Sequence, residues 1–162
     1  MRIILDGPDG VGKTTLAKKI QKHFNITSYI HLTYKDPEDF NFYKTMLSKT
    51  DVIFDRSFLS ERIYAKIFKR EPQLTLEEFS KLTRVVEDED IIVIICLAEK
   101  ENVRYHSDEH EIIIKNGDTL NRYYSRIAKV LNYYVARPLD KDYDEKALYD
   151  YIERRITKES GG

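Results

Sequence analysis

The sequence predicts an α/β domain, a parallel sheet of five strands flanked by helices, within one unit spanning residues 1–158. Three observations predict it. Short apolar runs alternate with amphipathic segments along the whole chain, the order of a sheet whose strands are joined by helices. The run from Ile91 through Ile95 and Cys96 to Leu97 is continuous and rich in β-branched residues, as suits a strand covered on both faces. The length of 162 residues, 41% of them hydrophobic, is that of one compact domain able to bury a real core.

In chain order, the first strand is expected over residues 3–6 and the first helix over 14–24, where Leu16, Ala17 and Ile20 share one face. A weaker strand follows over 29–33, and after Asp36-Pro37 comes a helix over roughly 38–47. Residues 52–55 form the third strand and 57–68 a helix. Pro72 marks a break, and Thr75 with Glu78 three residues later is the signature of a capping box that opens another helix. The strand over 91–97 leads into EKENVRYHSDEHE, residues 99–111, which is polar and charged throughout and is the expected lid. Residues 111–115 fit either a strand or a helix start. Asp118 is expected to cap a helix running to about 134, and Asp144 to open the last one, through 156. Residues 135–140 between them supply the fifth strand, confined by Pro138 to an edge or a strand end. Residues 159–162 are expected to be a disordered tail.

Composition excludes several classes. The 27 Lys and Arg nearly cancel the 28 Asp and Glu, so no overall charge favours nucleic acid or a membrane surface, and any anion site must be local. Cys96 is the single cysteine, lies inside an apolar run, and reads as a small buried hydrophobe. No apolar stretch reaches about 18 residues, and the N-terminus opens as a strand, so no membrane span or secretory leader is expected and the chain reads as cytoplasmic.

The stretch GPDGVGKTT joins the first strand to the first helix. Gly7, Gly12, Lys13 and Thr14 match G-x-x-x-x-G-K-S/T, the phosphate-cradling P-loop, in the strand-to-helix context the motif requires. Glycines let backbone N–H groups converge on phosphate oxygens where the helix N-terminus adds its positive dipole end. Gly7, Asp9, Gly10, Val11, Gly12, Lys13, Thr14 and Thr15 are therefore the expected ATP contacts, with Lys13 reaching the β and γ phosphates. Thr14 offers a hydroxyl to Mg²⁺, and Asp55, closing the run Val52-Ile53-Phe54, is either the acidic partner of that metal or a helix N-cap. The guanine-reading N-K-x-D element of a GTPase is missing, and no D-x-x-G follows the third strand. A motor-type ATPase needs more chain. A small-molecule kinase is the reading that remains.

Residues 6–15, DGPDGVGKTT, resemble the P-loop of thymidylate kinases, an acid followed by G-x-D-G-x-G-K-T-T. Asp55-Arg56, Ser60 and Tyr64-Ala65 resemble that family's D-R-Y-x-x-S-x-x-x-Y, with Ser57 at the usual tyrosine, and Lys35-Asp36-Pro37 is similar to its R-E-P. The resemblance covers roughly the first 65 residues by motif and the rest by element order. It implies Mg²⁺ and ATP as cofactors, dTMP or a related deoxynucleotide as acceptor, and a possible homodimer. It also implies that Arg56 and Lys35 grip the acceptor phosphate, and that Asp9 and Asp55 manage the metal and the sugar or phosphate face. Phe40, Phe58 and Tyr64 lie nearest the implied acceptor site and are expected either to stack on a base or to pack in the core.

The same residues resemble the deoxynucleoside kinases, where Asp55-Arg56-Ser57 is similar to their E-R-S and Asp36 takes the place of a general base acting on a 5′-hydroxyl. A monophosphate already offers an anionic oxygen and needs cations, whereas a nucleoside needs a base. Lys35 and the aspartate form of the P-loop favour the monophosphate. The P-loop carries no arginine, so the resemblance sends the transfer cation to the lid and to Arg104, with Lys100, then Arg122 and Arg126, behind it. A kinase acting on a nucleotide within DNA and a nucleotide-binding protein without catalysis are the remaining alternatives; nucleic acid and membrane are not expected partners.

Overall fold

The computed structural model describes residues 1–33 and 38–161. Five parallel strands, β1 (Arg2–Asp6), β2 (Ser28–His31), β3 (Val52–Asp55), β4 (Ile92–Cys96) and β5 (Tyr134–Ala136), form one sheet in the order β2-β3-β1-β4-β5. The register places Leu5 beside Asp55 and beside Ile94, and His31 beside Asp55, so the carboxyl ends of β2, β3 and β1 converge.

Strand alternation divides the core between the two sheet faces. Ile4, Phe54, Val93 and Ile95 point to one face, covered by α2 (Phe40–Leu47), α3 (Glu61–Ile67), α4 (Leu76–Asp88) and α6 (Gly117–Leu131). Ile3, Leu5, Ile53, Ile92, Ile94 and Cys96 point to the other, covered by α1 (Lys13–His23) and α7 (Glu145–Gly161). A sheet covered on both sides explains the unbroken apolar run of β4, whose five residues are all buried. Cys96 is fully buried, and desolvation pushes its thiol up to about 12, in keeping with a packing role.

The capping box is present: Thr75 Oγ1 accepts from Glu78 N–H at 3.1 Å and the Glu78 carboxylate accepts from Thr75 N–H at 3.0 Å. Asp39 caps α2 by accepting from Phe42 N–H at 2.9 Å. Several boundaries differ from expectation. Residues 57–68 divide into a 3-10 turn, Phe58–Ser60, and α3. Residues 111–115 become α5 (Glu111–Lys115), capped by His110 Nδ1 accepting from Ile112 N–H at 3.0 Å. Asp118 does not cap α6; Asn116 holds that position, its side chain donating backward to Ile112 O at 2.8 Å instead of capping, and Asp118 lies in the first turn. That helix ends at Leu131 because Asn132 turns left-handed, with φ 56°, after which β5 begins at Tyr134, one residue earlier than expected. The β5 strand stops at Ala136, before Pro138, and lies at the sheet edge. Asp144 does cap α7, which continues to Gly161. Among the described residues, no helix is long and apolar enough to cross a membrane.

Candidate active site

The loop between β1 and α1 sits over the carboxyl edge of the sheet. Gly7 has φ 154° and packs so tightly on β4 that an added Cβ would lie 2.2 Å from the Cys96 carbonyl oxygen. No side chain fits there, since the opposing atom is strand backbone. Gly7→Ala is therefore expected to destabilise the fold at or beyond the upper end of the range for overpacking, about 3 kcal/mol. A loss of less than about 1 kcal/mol in urea unfolding would contradict the packing described. Gly12 occupies the N-cap of α1 at φ 85°, the left-handed turn that lets Lys13 start the helix at the cavity wall.

Asp55 collects the site. Ending β3 and fully buried, it accepts from Lys13 Nζ at 2.6 Å on one oxygen. Its other oxygen accepts from Thr14 Oγ1 at 2.7 Å and from Tyr29 OH, and lies 3.0 Å from His31 Nδ1. Burial alone would raise its pKa; the Lys13 charge and the donated hydrogen bonds outweigh burial and hold the carboxyl well below its ordinary value.

Arg56 follows directly, at a left-handed φ of 80°, with its N–H donating to Leu5 O at 2.7 Å. This turn swings the guanidinium under the P-loop, where it is buried and reaches Asp9 Oδ1 at 3.1 Å and the Gly7 carbonyl at 3.4 Å. Tyr64 completes the clasp, donating its hydroxyl to the other oxygen of Asp9 while its ring lies 4.9 Å from the guanidinium carbon. Behind them Asp6, fully buried, accepts from Gly7 N–H and Ser57 Oγ, both at 2.8 Å, and from Tyr124 OH at 3.0 Å. Burial outweighs these bonds and the Arg56 charge, and its pKa is raised.

A cavity of about 610 Å³ opens above. Asp9, Gly10, Gly12, Lys13, Thr14, Thr15 and Arg56 line it from the loop and the end of β3, joined by His31 from β2 and by Arg104 and His106 from the segment after β4. Residues 99–111 are joined to the P-loop here by Arg104 N–H donating to Gly10 O at 2.8 Å. Of the basic residues considered for transfer, only Arg104 reaches this cavity. Lys100 lines a second one, of about 450 Å³, which shares Pro8 and Asp9 with the first, and Arg122 and Arg126 line neither.

Val11 is buried in the core beneath the loop. Phe58 belongs to the core as well, 1% exposed and edge-on to Phe79 at 5.5 Å, while Phe40 is half-buried against the same cluster. Tyr64 is fully buried under Arg56. Phe58 and Tyr64 thus pack in the core, one of the two places the sequence left open for them. Lys35 and Asp36 lie outside the described residues. Tyr29, His31, Asp6 and Tyr124 are the site residues that sequence reasoning missed; a β2 alternation placing Tyr29 and His31 on one face was the available signal.

Thr14, on the cavity wall, and Asp55, buried directly behind it, form a hard-oxygen pair, the donor chemistry that suits Mg²⁺, which takes one or two protein oxygens and fills its shell with phosphates and water. With four donors already on Asp55, a contact through metal-bound water fits it better than direct ligation.

A scan against models of protein families finds no match, and a comparison with curated proteins finds none either. Solved structures do resemble the chain. The YorR protein from Bacillus subtilis, solved with phosphorylated GDP, superimposes with a TM-score of 0.68 at 24% identity over 83% of each chain. The deoxyadenosine kinase from M. mycoides, solved with dCMP and dCDP, gives 0.59 at 19% identity over 98% of this chain and 100% of that one. The thymidylate kinase from Candida albicans gives 0.56 at 11% identity over 96% and 92%. The chain has the P-loop nucleotide-kinase fold expected from its motifs.

Proposed function

We propose that this protein transfers the γ-phosphoryl group of Mg·ATP to the 5′-phosphate of a deoxynucleoside monophosphate, with dTMP the first acceptor to test. The observation that carries the reading is the set of cations, Lys13, Arg56 and Arg104, brought from three separate segments to one cavity. A triphosphate and a monophosphate repel each other as anions, and a surplus of fixed positive charge around their meeting point is what such a transfer needs. The nucleotide-kinase neighbours and the motif resemblance support the same class.

In this reading an oxygen of the acceptor phosphate attacks the γ-phosphorus, the bond from that phosphorus to the β–γ bridging oxygen breaks, and ADP departs with the electron pair. Lys13 neutralises the β and γ phosphates, Arg56 orients the acceptor, and Arg104 follows the migrating group from the lid. Mg²⁺, when bound near Thr14 and Asp55, supplies charge neutralisation of the β and γ oxygens. Lys35 adds an acceptor cation whose ammonium, unlike a guanidinium, makes no planar two-pronged contact.

Transfer from ATP to deoxynucleoside monophosphates and to the parent nucleosides tests the acceptor. Transfer to dTMP or a related monophosphate is expected, with Arg104→Ala lowering kcat on the order of 10²–10³-fold and leaving the acceptor KM within a few-fold. Transfer confined to nucleosides would make Asp36 the base on a 5′-hydroxyl and replace this reading.

A further inference from the structure

The two β2 side chains on Asp55 have no part in the scheme above. Tyr29 and His31 stand two apart on one strand, and the register sets His31 directly beside Asp55. Lys13 and Thr14 already satisfy the buried carboxylate from α1, at 2.6 and 2.7 Å. Yet Tyr29 OH and His31 add two further contacts, both to the oxygen that also takes the Thr14 hydroxyl. Three groups on one oxygen and a lysine on the other leave the carboxylate one orientation.

The placement of His31 separates this from ordinary core packing. Its side chain is 51% exposed, and with Thr14 it lines the cavity of about 610 Å³ over the P-loop. A residue serving only to satisfy a buried acid has no need of the cavity wall. We propose that Tyr29 and His31 are positioning residues for the metal: a brace from β2 that holds the Asp55 carboxylate in the orientation from which it and Thr14 receive a divalent cation and its water shell. Partners that orient a metal-binding carboxylate set affinity without touching the ion. The inference rests on the reading of Thr14 and Asp55 as the metal side of a nucleotide site.

Mn²⁺ serves as the probe, its free concentration followed by electron paramagnetic resonance during titration into protein saturated with ADP, so that no turnover is involved. Tyr29→Phe keeps the ring and deletes the hydroxyl, His31→Ala deletes the imidazole, and His31→Gln restores an N–H donor. Mn²⁺ affinity in the ADP complex is expected to fall about tenfold in Tyr29→Phe and in His31→Ala. His31→Gln is expected to recover most of the loss. A purely structural role would lower Tm without moving Mn²⁺ affinity. Unchanged or tighter Mn²⁺ binding in the folded variants, with the wild type binding normally, overturns the brace and leaves the nucleotide site standing. Failure of the wild type to bind Mn²⁺ with ADP overturns both.

Discussion

Lys13→Ala is expected to reduce phosphoryl transfer on the order of 10²–10³-fold, the cost of removing one preorganised group that meets charge developing in a transition state. It also carries a cost in the resting protein. Lys13 is 7% exposed and lies 2.6 Å from Asp55, which is fully buried. Removing the ammonium leaves that carboxylate only neutral hydroxyl donors and His31, and breaking a buried pair from one side costs about 3–5 kcal/mol. The pH dependence gives a further check. In the wild type the Asp55 pKa is depressed, so its contribution to stability is fully present above the unfolded carboxylate value of about 3.9 and is lost as pH falls through the lower folded value. Without Lys13 the depression shrinks. Tm measured from pH 7 down to pH 3 is therefore expected to fall less steeply in Lys13→Ala than in the wild type, from a lower start. Equal slopes would mean that Lys13 does not set the Asp55 charge.

Arg56→Ala is expected to be the most destabilising change at the acceptor side. The guanidinium is 4% exposed, binds Asp9 at 3.1 Å and stands 3.8 Å from the fully buried Asp6. Its loss strands two acids beneath the loop, and a stability decrease of about 3–5 kcal/mol follows. The backbone offers an internal control. Residue 56 has φ 80°, where a side chain costs about 1–2 kcal/mol and glycine costs none. Arg56→Gly is therefore expected to be more stable than Arg56→Ala by about 1 kcal/mol although it removes more atoms. Urea denaturation of the two variants reads this directly, and the reverse order would contradict the left-handed turn. In steady-state assays both variants are expected to raise the acceptor KM much more than the KM for ATP.

The parts of this site that follow a short chain path were legible in the sequence. Residues 6–15 carry strand end, loop and helix start together, so spacing alone placed Lys13 and Thr14. Asp55 and Arg56 were legible as the end of an apolar run. What was not legible depends on which strands adjoin. Tyr29 and His31 matter because β2 pairs with β3, and nothing within residues 28–31 states that pairing. Tyr124 reaches Asp6 across 118 residues through the packing of α6, which no local pattern encodes. The end of α6 turned on a single backbone angle at Asn132, in a stretch where the apolar spacing runs on to Tyr134. For Phe58 and Tyr64 motif adjacency left base stacking and core packing both open, and the two side chains lie in the core, packed against Phe79 and Arg56.

Phosphorus NMR of the wild-type protein with ATP, Mg²⁺ and dTMP follows the γ-phosphorus to its destination and so reads the proposed transfer itself. The γ signal of ATP is expected to decline as ADP and a new diphosphate, dTDP, appear in equal amounts, only with Mg²⁺ and not in Lys13→Ala. Decay of ATP to inorganic phosphate alone, or an unchanged spectrum with dTMP and with the other deoxynucleoside monophosphates, would contradict it.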